Sequence, residues 1–385
     1  MSSAGNASRA ATETDPVRKP GVIHDPAKRL GAWVDRLIGL ASMILGLSVL
    51  AVVPVANLLS LGYMVEASGR VARSGKLSDG FVGLRKASRL GQILGGIWLV
   101  TLPLRLMASL ASEAAIAAPS SPKAGNWHLA YLAVATLTAF HILWACLRGG
   151  RISCFLNPAP IRFFRWIQSE THPMANLNRV TTYLRSLRLG LYLTTGFRTF
   201  VGAAIWLFPP TLTLIVASQL EPGPAAILSL VGGLFLAYVA VMLPYLQTRV
   251  VTERRFAAMF ERKAINNLFK KAPISYVLSF FILVLFSLPL YLLKIELTPR
   301  EVAWLPSLLF VLFIFPARLL IGWTVYRAHR EDPNDYWLMR WIGRAGLVPL
   351  GLAYTLILYL TQYLSWQGPW SLLEQHAFLV PAPLL

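Results

Sequence analysis

Eight apolar stretches, each 20 residues or more in length, alternate with more polar segments along this chain, and that alternation leaves few folds open. A helix needs about 20 apolar residues to cross the hydrocarbon of a bilayer, because each residue rises about 1.5 Å. Inside lipid every backbone polar group has to be satisfied within the protein, which favours helices. The stretches are 37–61, 91–118, 127–147, 199–219, 225–247, 273–293, 302–326 and 345–366. The sequence therefore predicts an all-α, polytopic transmembrane helix bundle of eight spans, or seven if the first segment does not cross. Composition agrees: 14% of residues are charged, against about 25% in an ordinary soluble domain.

Thirty-six Lys and Arg against 17 Asp and Glu invite comparison with a nucleic-acid binder. The placement of the charges argues otherwise. Twenty-five of the 36 fall in the stretches 63–90, 148–198, 248–272 and 327–344, between the apolar runs. The alternate connections are poor in positive charge: 119–126 carries only Lys123, and 294–301 carries Lys294 and Arg300. This is the positive-inside pattern of a multi-pass membrane protein. It assigns the basic segments to the cytoplasm and the C-terminal tail, 367–385, to the outside.

The N-terminus breaks the pattern. Stretch 63–90 belongs inside, which sends residues 1–36 outside, yet that tail also carries six basic residues. Either the tail is translocated, or 37–61 dips into the membrane without crossing, a reading that Pro54 and Asn57 favour. The expectation adopted is eight spans, preceded by a disordered polar tail over 1–36.

Two of the basic segments carry apolar residues at helical spacing. Phe256, Met259 and Phe260 share one face, Ile265, Leu268 and Phe269 another, beside Arg254, Arg255, Arg262, Lys263, Lys270 and Lys271. Phe163, Trp166 and Ile167 repeat the spacing beside Arg162 and Arg165. Helices of this kind are expected to lie at the interface, apolar face in the acyl boundary and cations among anionic headgroups. Each such cation contributes about 1 kcal/mol near an anionic surface. Anionic membrane lipid is the expected partner, with a membrane protein partner as a further expectation; no nucleic-acid reading motif is present.

Ionisable groups inside spans are costly and mark interior sites or water-facing positions. Arg105 and Arg318 follow prolines in related contexts, Pro103-Leu104-Arg105 and Pro316-Ala317-Arg318. Arg105 is the deeper by sequence, whereas Arg318 is expected to snorkel to the cytoplasmic interface. Pro209 and Pro210 sit mid-span and are the best candidate for a broken helix. Arg105, Arg318, Pro209 and Pro210 thus form the candidate intramembrane site. His141 is expected to make a helix-packing hydrogen bond.

The search for chemistry yields no catalytic residues. There is no His-Glu-x-x-His, no phosphate-binding Gly loop with Lys, and no Gly-x-Ser-x-Gly elbow. Cys146 and Cys154 have no histidine pair nearby, so no metal or cofactor site is expected. Glu374 and His376, two residues apart, diverge on a helix.

The run Leu61-Gly62-Tyr63-Met64-Val65-Glu66-Ala67-Ser68-Gly69-Arg70-Val71-Ala72-Arg73-Ser74-Gly75, followed by Asp79-Gly80-Phe81, resembles a group of uncharacterised bacterial multi-pass membrane proteins. Leu360 to Trp366 and Glu374 to Phe378 look similar to the same group. The resemblance implies a bacterial inner-membrane location and supplies no activity. The expected function is a non-enzymatic membrane scaffold or assembly partner that contacts anionic lipid through basic cytoplasmic helices. The alternative is a small-solute or lipid transporter or channel with a site near the kinked spans.

Overall fold

The computed structural model describes residues 26–118, 121–167, 181–183, 185–293, 304–332, 337–363, 368–373 and 376. It is an all-α bundle with no strand among these residues, and eight helical segments are long and apolar enough to cross a membrane. The helices are α1 (Pro26–Val52), α2 (Asn57–Ser74), α3 (Leu84–Val100), α4 (Leu102–Ala117), α5 (Pro122–Leu147), α6 (Ile152–Leu156) and α7 (Pro160–Ile167). They continue as α8 (Leu189–Ala217), α9 (Pro222–Glu253), α10 (Arg262–Lys271), α11 (Pro273–Leu293), α12 (Trp304–Arg330) and α13 (Trp337–Thr361). Short 3-10 turns cover Leu77–Gly80, Phe256–Phe260 and Gly368–Leu373.

The first expected span, 37–61, is not one helix. Helix α1 ends at Val52, a turn over 53–56 follows, and α2 folds back along α1, so that the Tyr63 hydroxyl reaches Met43 Sδ at 2.9 Å. Pro54 lacks the amide that a continuing helix needs, and Val55 adopts a positive φ of 68°. Residues 26–36, expected in a disordered tail, are the opening turns of α1; residues 1–25 lie outside the described residues.

Part of the basic stretch 63–90, expected to be an inter-span connection, is α2, which buries Ser60 through Gly69 together with Val71 and Ala72. It lies among α1, α8, α9 and α12. Its small residues explain the burial, because they let backbones approach closely where lipid is as apolar as any side chain. A Cβ on Gly62 would overlap the Tyr192 carbonyl of α8, and one on Gly196 would overlap the Leu58 carbonyl of α2. Gly322 of α12 meets the Ser68 carbonyl in the same way. Register follows from these contacts. Tyr63 lies against Phe315 and Ser68 against Gly322, so α12 runs parallel to α2, whereas α8 runs antiparallel. From Gly196, α8 continues for about 30 Å, so the α1–α2 turn stops well short of its far end.

Helices α9, α11, α12 and α13 complete the core around Tyr245, Tyr276, Phe280, Phe310 and Tyr354. The arm formed by α3, α4 and α5 is peripheral, and α4 buries none of its 16 residues. Within the expected C-terminal tail, 367–385, Gly368–Leu373 lies against α8 and α13, with Ser371 and Leu372 buried. His376 is buried too, its Nδ1 within 3.1 Å of the Tyr354 hydroxyl.

The basic segments, far apart in sequence, converge at one end of the bundle. Lys86 donates to the Ser186 carbonyl at 2.6 Å, and Arg89 to the Gly149 carbonyl at 3.2 Å. Arg73 donates to the Val251 carbonyl at 3.2 Å, while Tyr326 of α12 lies beside Gly75. These contacts define a basic end of the bundle.

Candidate functional site

At the basic end, one carboxylate gathers three guanidinium groups. Glu66 is 1% exposed on α2, and its Oε1 lies 3.3 Å from Arg73 Nη2, 3.3 Å from Arg254 Nη2 and 3.6 Å from Arg70 Nε. Helical spacing supplies two of the partners, since Arg70 and Arg73 follow Glu66 by one and two turns on the same face. The third arrives because α9 ends beside α2: Gly69 abuts Val251, and the left-handed backbone of Arg254, with φ 58°, turns its side chain back. Glu66 Oε2 makes no hydrogen bond in the structure. A buried carboxylate is costly to keep charged unless cations surround it, and here the cations outnumber it.

Arg318 lies deeper. It was expected to snorkel, but it is 1% exposed and donates from Nη1 to Gln247 Oε1 at 2.7 Å. The reason is its position on α12, where the face shared with Gly322 turns toward α2 and α9 rather than toward an interface. Gln247 in turn approaches the Thr199 carbonyl at 3.5 Å, and next along α9 Thr248 bonds Ser68 of α2 at 2.9 Å. A second polar group joins Tyr245, Ser279 and Thr324, with Tyr245 to Ser279 at 2.8 Å and Thr324 to Ser279 at 3.0 Å. These seams tie α2, α8, α9, α11 and α12 together through hydrogen bonds in an otherwise apolar interior.

The residues grouped by sequence as an intramembrane site do not come together. Arg105 is exposed on α4, whose neighbours are α3 and α5, so it is remote from Arg318. Glu113 is exposed on the same helix, and Arg198 is exposed on α8. Pro209 and Pro210 do not break α8, which is helical from Leu189 to Ala217. The carbonyls of Ile205 and Trp206 lose their i+4 amide donors there, and the Thr211 and Thr213 hydroxyls bond one turn back to the carbonyls of Leu207, at 2.7 Å, and Pro209, at 2.8 Å. His141 bonds the Phe155 carbonyl at 2.7 Å.

The proposed lipid contacts divide into two groups. On α10, Arg262, Lys263 and Lys270 are exposed and Lys271 is partly so, while Ile265, Leu268 and Phe269 are buried in the core. The face of Ile265, Leu268 and Phe269, expected in the acyl boundary, is therefore turned into the protein, with Phe269 against Tyr276 and Gly343; of the other expected face, Met259 seats under Gly202 while Phe260 is exposed. On α7, Phe163 packs on Phe140 and Trp144, leaving Arg162 and Arg165 exposed. Arg255 bonds Glu253 at 2.6 Å and Glu261 at 2.9 Å; Glu253, joined by Glu261, raises its guanidinium above the usual arginine range. Arg254 belongs to the Glu66 cluster.

No group of His, Cys, Asp and Glu able to hold a metal ion occurs among the described residues, and Cys146 and Cys154 are free thiols. Glu374 lies outside the described residues. Sequence reasoning passed over Glu66 and Gln247 as site residues. For Glu66 a signal existed, a lone acid with arginines at i+4 and i+7 beside glycines at i−4 and i+3. Gln247 had none, because only the fold sets Arg318 opposite it. Family models, curated proteins and solved structures yield no match to this chain.

Proposed function

We propose that this protein is a non-enzymatic scaffold or assembly partner of the bacterial cytoplasmic membrane, holding anionic phospholipid through its basic end. That end faces the cytoplasm in this reading, because the positive-inside tendency retains Lys- and Arg-rich segments there. The back-folded α1–α2 hairpin then leaves the basic N-terminal tail on the cytoplasmic side too, which removes the conflict in the charge pattern. The apolar turn at 53–56, with Val53 and Val55 exposed, suits lipid better than water.

The observation that carries the lipid reading is α10. Three of its cations stand in the open on a helix whose other face is locked into the core, so their positions are set by the fold. A fixed array loses less conformational entropy on meeting headgroups than cations on a loose loop. Arg162 and Arg165 on α7 extend the array as part of an amphipathic basic helix.

The test is native mass spectrometry of the full chain released from mixed phosphatidylglycerol and phosphatidylcholine nanodiscs. Replacing Arg262, Lys263, Lys270 and Lys271 with Gln removes about 1 kcal/mol per cation and is expected to erase the preference for phosphatidylglycerol. An unchanged preference overturns the lipid reading. A protein retained in fixed stoichiometry supports the scaffold role.

A further inference from the structure

Beside the Glu66 cluster, the end of α2 and the start of α3 line an open cleft of about 490 Å³. Its wall includes Arg70, Arg73, Ser74, Ser78, Asp79 and Gly83, so guanidinium and hydroxyl groups face one space. Arg70 and Arg73 also touch Glu66, but the three arginines there share a single oxygen of a single carboxylate. Each guanidinium carries five N–H donors, so most of those on Arg70 and Arg73 are not used by Glu66.

Helix α3 meets the cleft through its N-cap residue, Gly83. It begins at Gly83, whose φ of 72° admits glycine readily, and no side chain caps it. The first intrahelical bonds are from Lys86 and Ala87 to the Gly83 carbonyl, which leaves the amides of Leu84 and Arg85 without an acceptor in the helix. A Cβ at Gly83 would meet open space, so the approach to this terminus is clear. Paired guanidinium groups, hydroxyls and an uncapped helix N-terminus are the donor set that suits phosphate. Asp79 is the exception, a carboxylate on the same wall, exposed and 3.5 Å from the Ser78 hydroxyl. It repels a bare anion but accepts an ammonium group.

We propose that this cleft binds a phosphate-bearing group, its oxygens on Arg70, Arg73 and the α3 terminus, with Asp79 taking the amine of an aminophosphate ester. The source is either a phospholipid headgroup or a free phosphate compound. The lipid source rests on the reading that the basic end meets headgroups; the free-phosphate source does not.

The experiment places a single reporter at the rim, Ser78→Cys in the full chain with Cys146 and Cys154 changed to Ser, in maltoside micelles that contain no phosphate. Maleimide labelling is timed against short-chain phosphatidylethanolamine, short-chain phosphatidylglycerol and inorganic phosphate. Bound ligand slows labelling by one plus the ratio of its concentration to Kd, about tenfold at ten times Kd. Slowing by lipid alone assigns a headgroup site, and slowing by inorganic phosphate as well assigns a general phosphate site. A greater effect of phosphatidylethanolamine than of phosphatidylglycerol supports the Asp79 contact. No slowing by any of the three overturns the proposal.

Arg70→Gln with Arg73→Gln is expected to abolish protection, and adding Glu66→Gln keeps a buried carboxylate from being stranded. Arg262→Gln with Lys263→Gln is expected to leave protection intact. If protection follows Arg262 and Lys263 instead, the cleft is wrong while the broader lipid reading stands.

Discussion

Helices α2 and α4 contrast in a way that composition alone hides. Helix α2 carries Glu66, Arg70 and Arg73 and lies at the centre of the bundle; α4 is the more apolar and buries no residue. In water the apolar helix would be the buried one. In a bilayer, lipid solvates Leu, Met and Ile as well as another helix does, so burial goes to segments that offer backbone approach and hydrogen bonds. Helix α2 offers Gly62, Ser68 and Gly69 to α8, α12 and α9; α4 offers neighbouring helices few such groups, and its Ser109 hydroxyl bonds its own turn at 2.9 Å.

The largest expected effect comes from closing the backbone contacts. Gly196→Leu puts a side chain into the Leu58 carbonyl and is expected to destabilise by about 3 kcal/mol or more. Little monodisperse protein should then appear in fluorescence-detected size-exclusion chromatography. Gly95→Leu on α3, where nothing lies within 4 Å, is expected to elute as wild type. Equal yields for the two would break the contrast.

A smaller difference is expected between the two arginines. Arg318→Leu leaves the Gln247 amide without its cation and should cost about 1–3 kcal/mol, read as a lower Tm in detergent. Adding Gln247→Leu should restore part of the loss. Arg105→Leu, on an exposed face, should move stability by no more than about 0.5 kcal/mol. A larger loss at Arg105 than at Arg318 would reverse the roles of the arm and the core.

The smallest effect is a coupling. Ser68→Ala and Thr248→Ala, singly and together, should show an interaction of about 0.6 kcal/mol in a double-mutant cycle. Ser109→Ala paired with Thr248→Ala should show none, since the two hydroxyls share no partner.

Much of the architecture was legible in the residues. The apolar runs from 127 onward predicted helices that the structure contains, with ends displaced by up to ten residues: α8 begins at Leu189 rather than 199, and α13 at Trp337 rather than 345; the run 91–118 is divided at Thr101 between α3 and α4. Those ends carry arginines and aromatics, which a hydropathy criterion leaves out although helices accommodate them. The segment 37–61 was taken as a span over the dipping alternative that Pro54 and Asn57 favoured, because its length fits a crossing and the turn residues other than Pro54 are apolar. The candidate site was less legible. Arg105 and Arg318 share a local sequence context and have opposite fates, since neither context says what lies across from it.

What the sequence by itself determined is the class of solvent and the clustering of charge. Long apolar runs compel helices in lipid, and loop charges group the basic segments, because each is a local property of residue type. The tertiary structure decided which helix sits at the centre, which arginine is enclosed, and that Glu66 meets Arg254 from 188 residues away. Those outcomes depend on which backbones can approach within contact of one another, a relation between segments that no single segment carries.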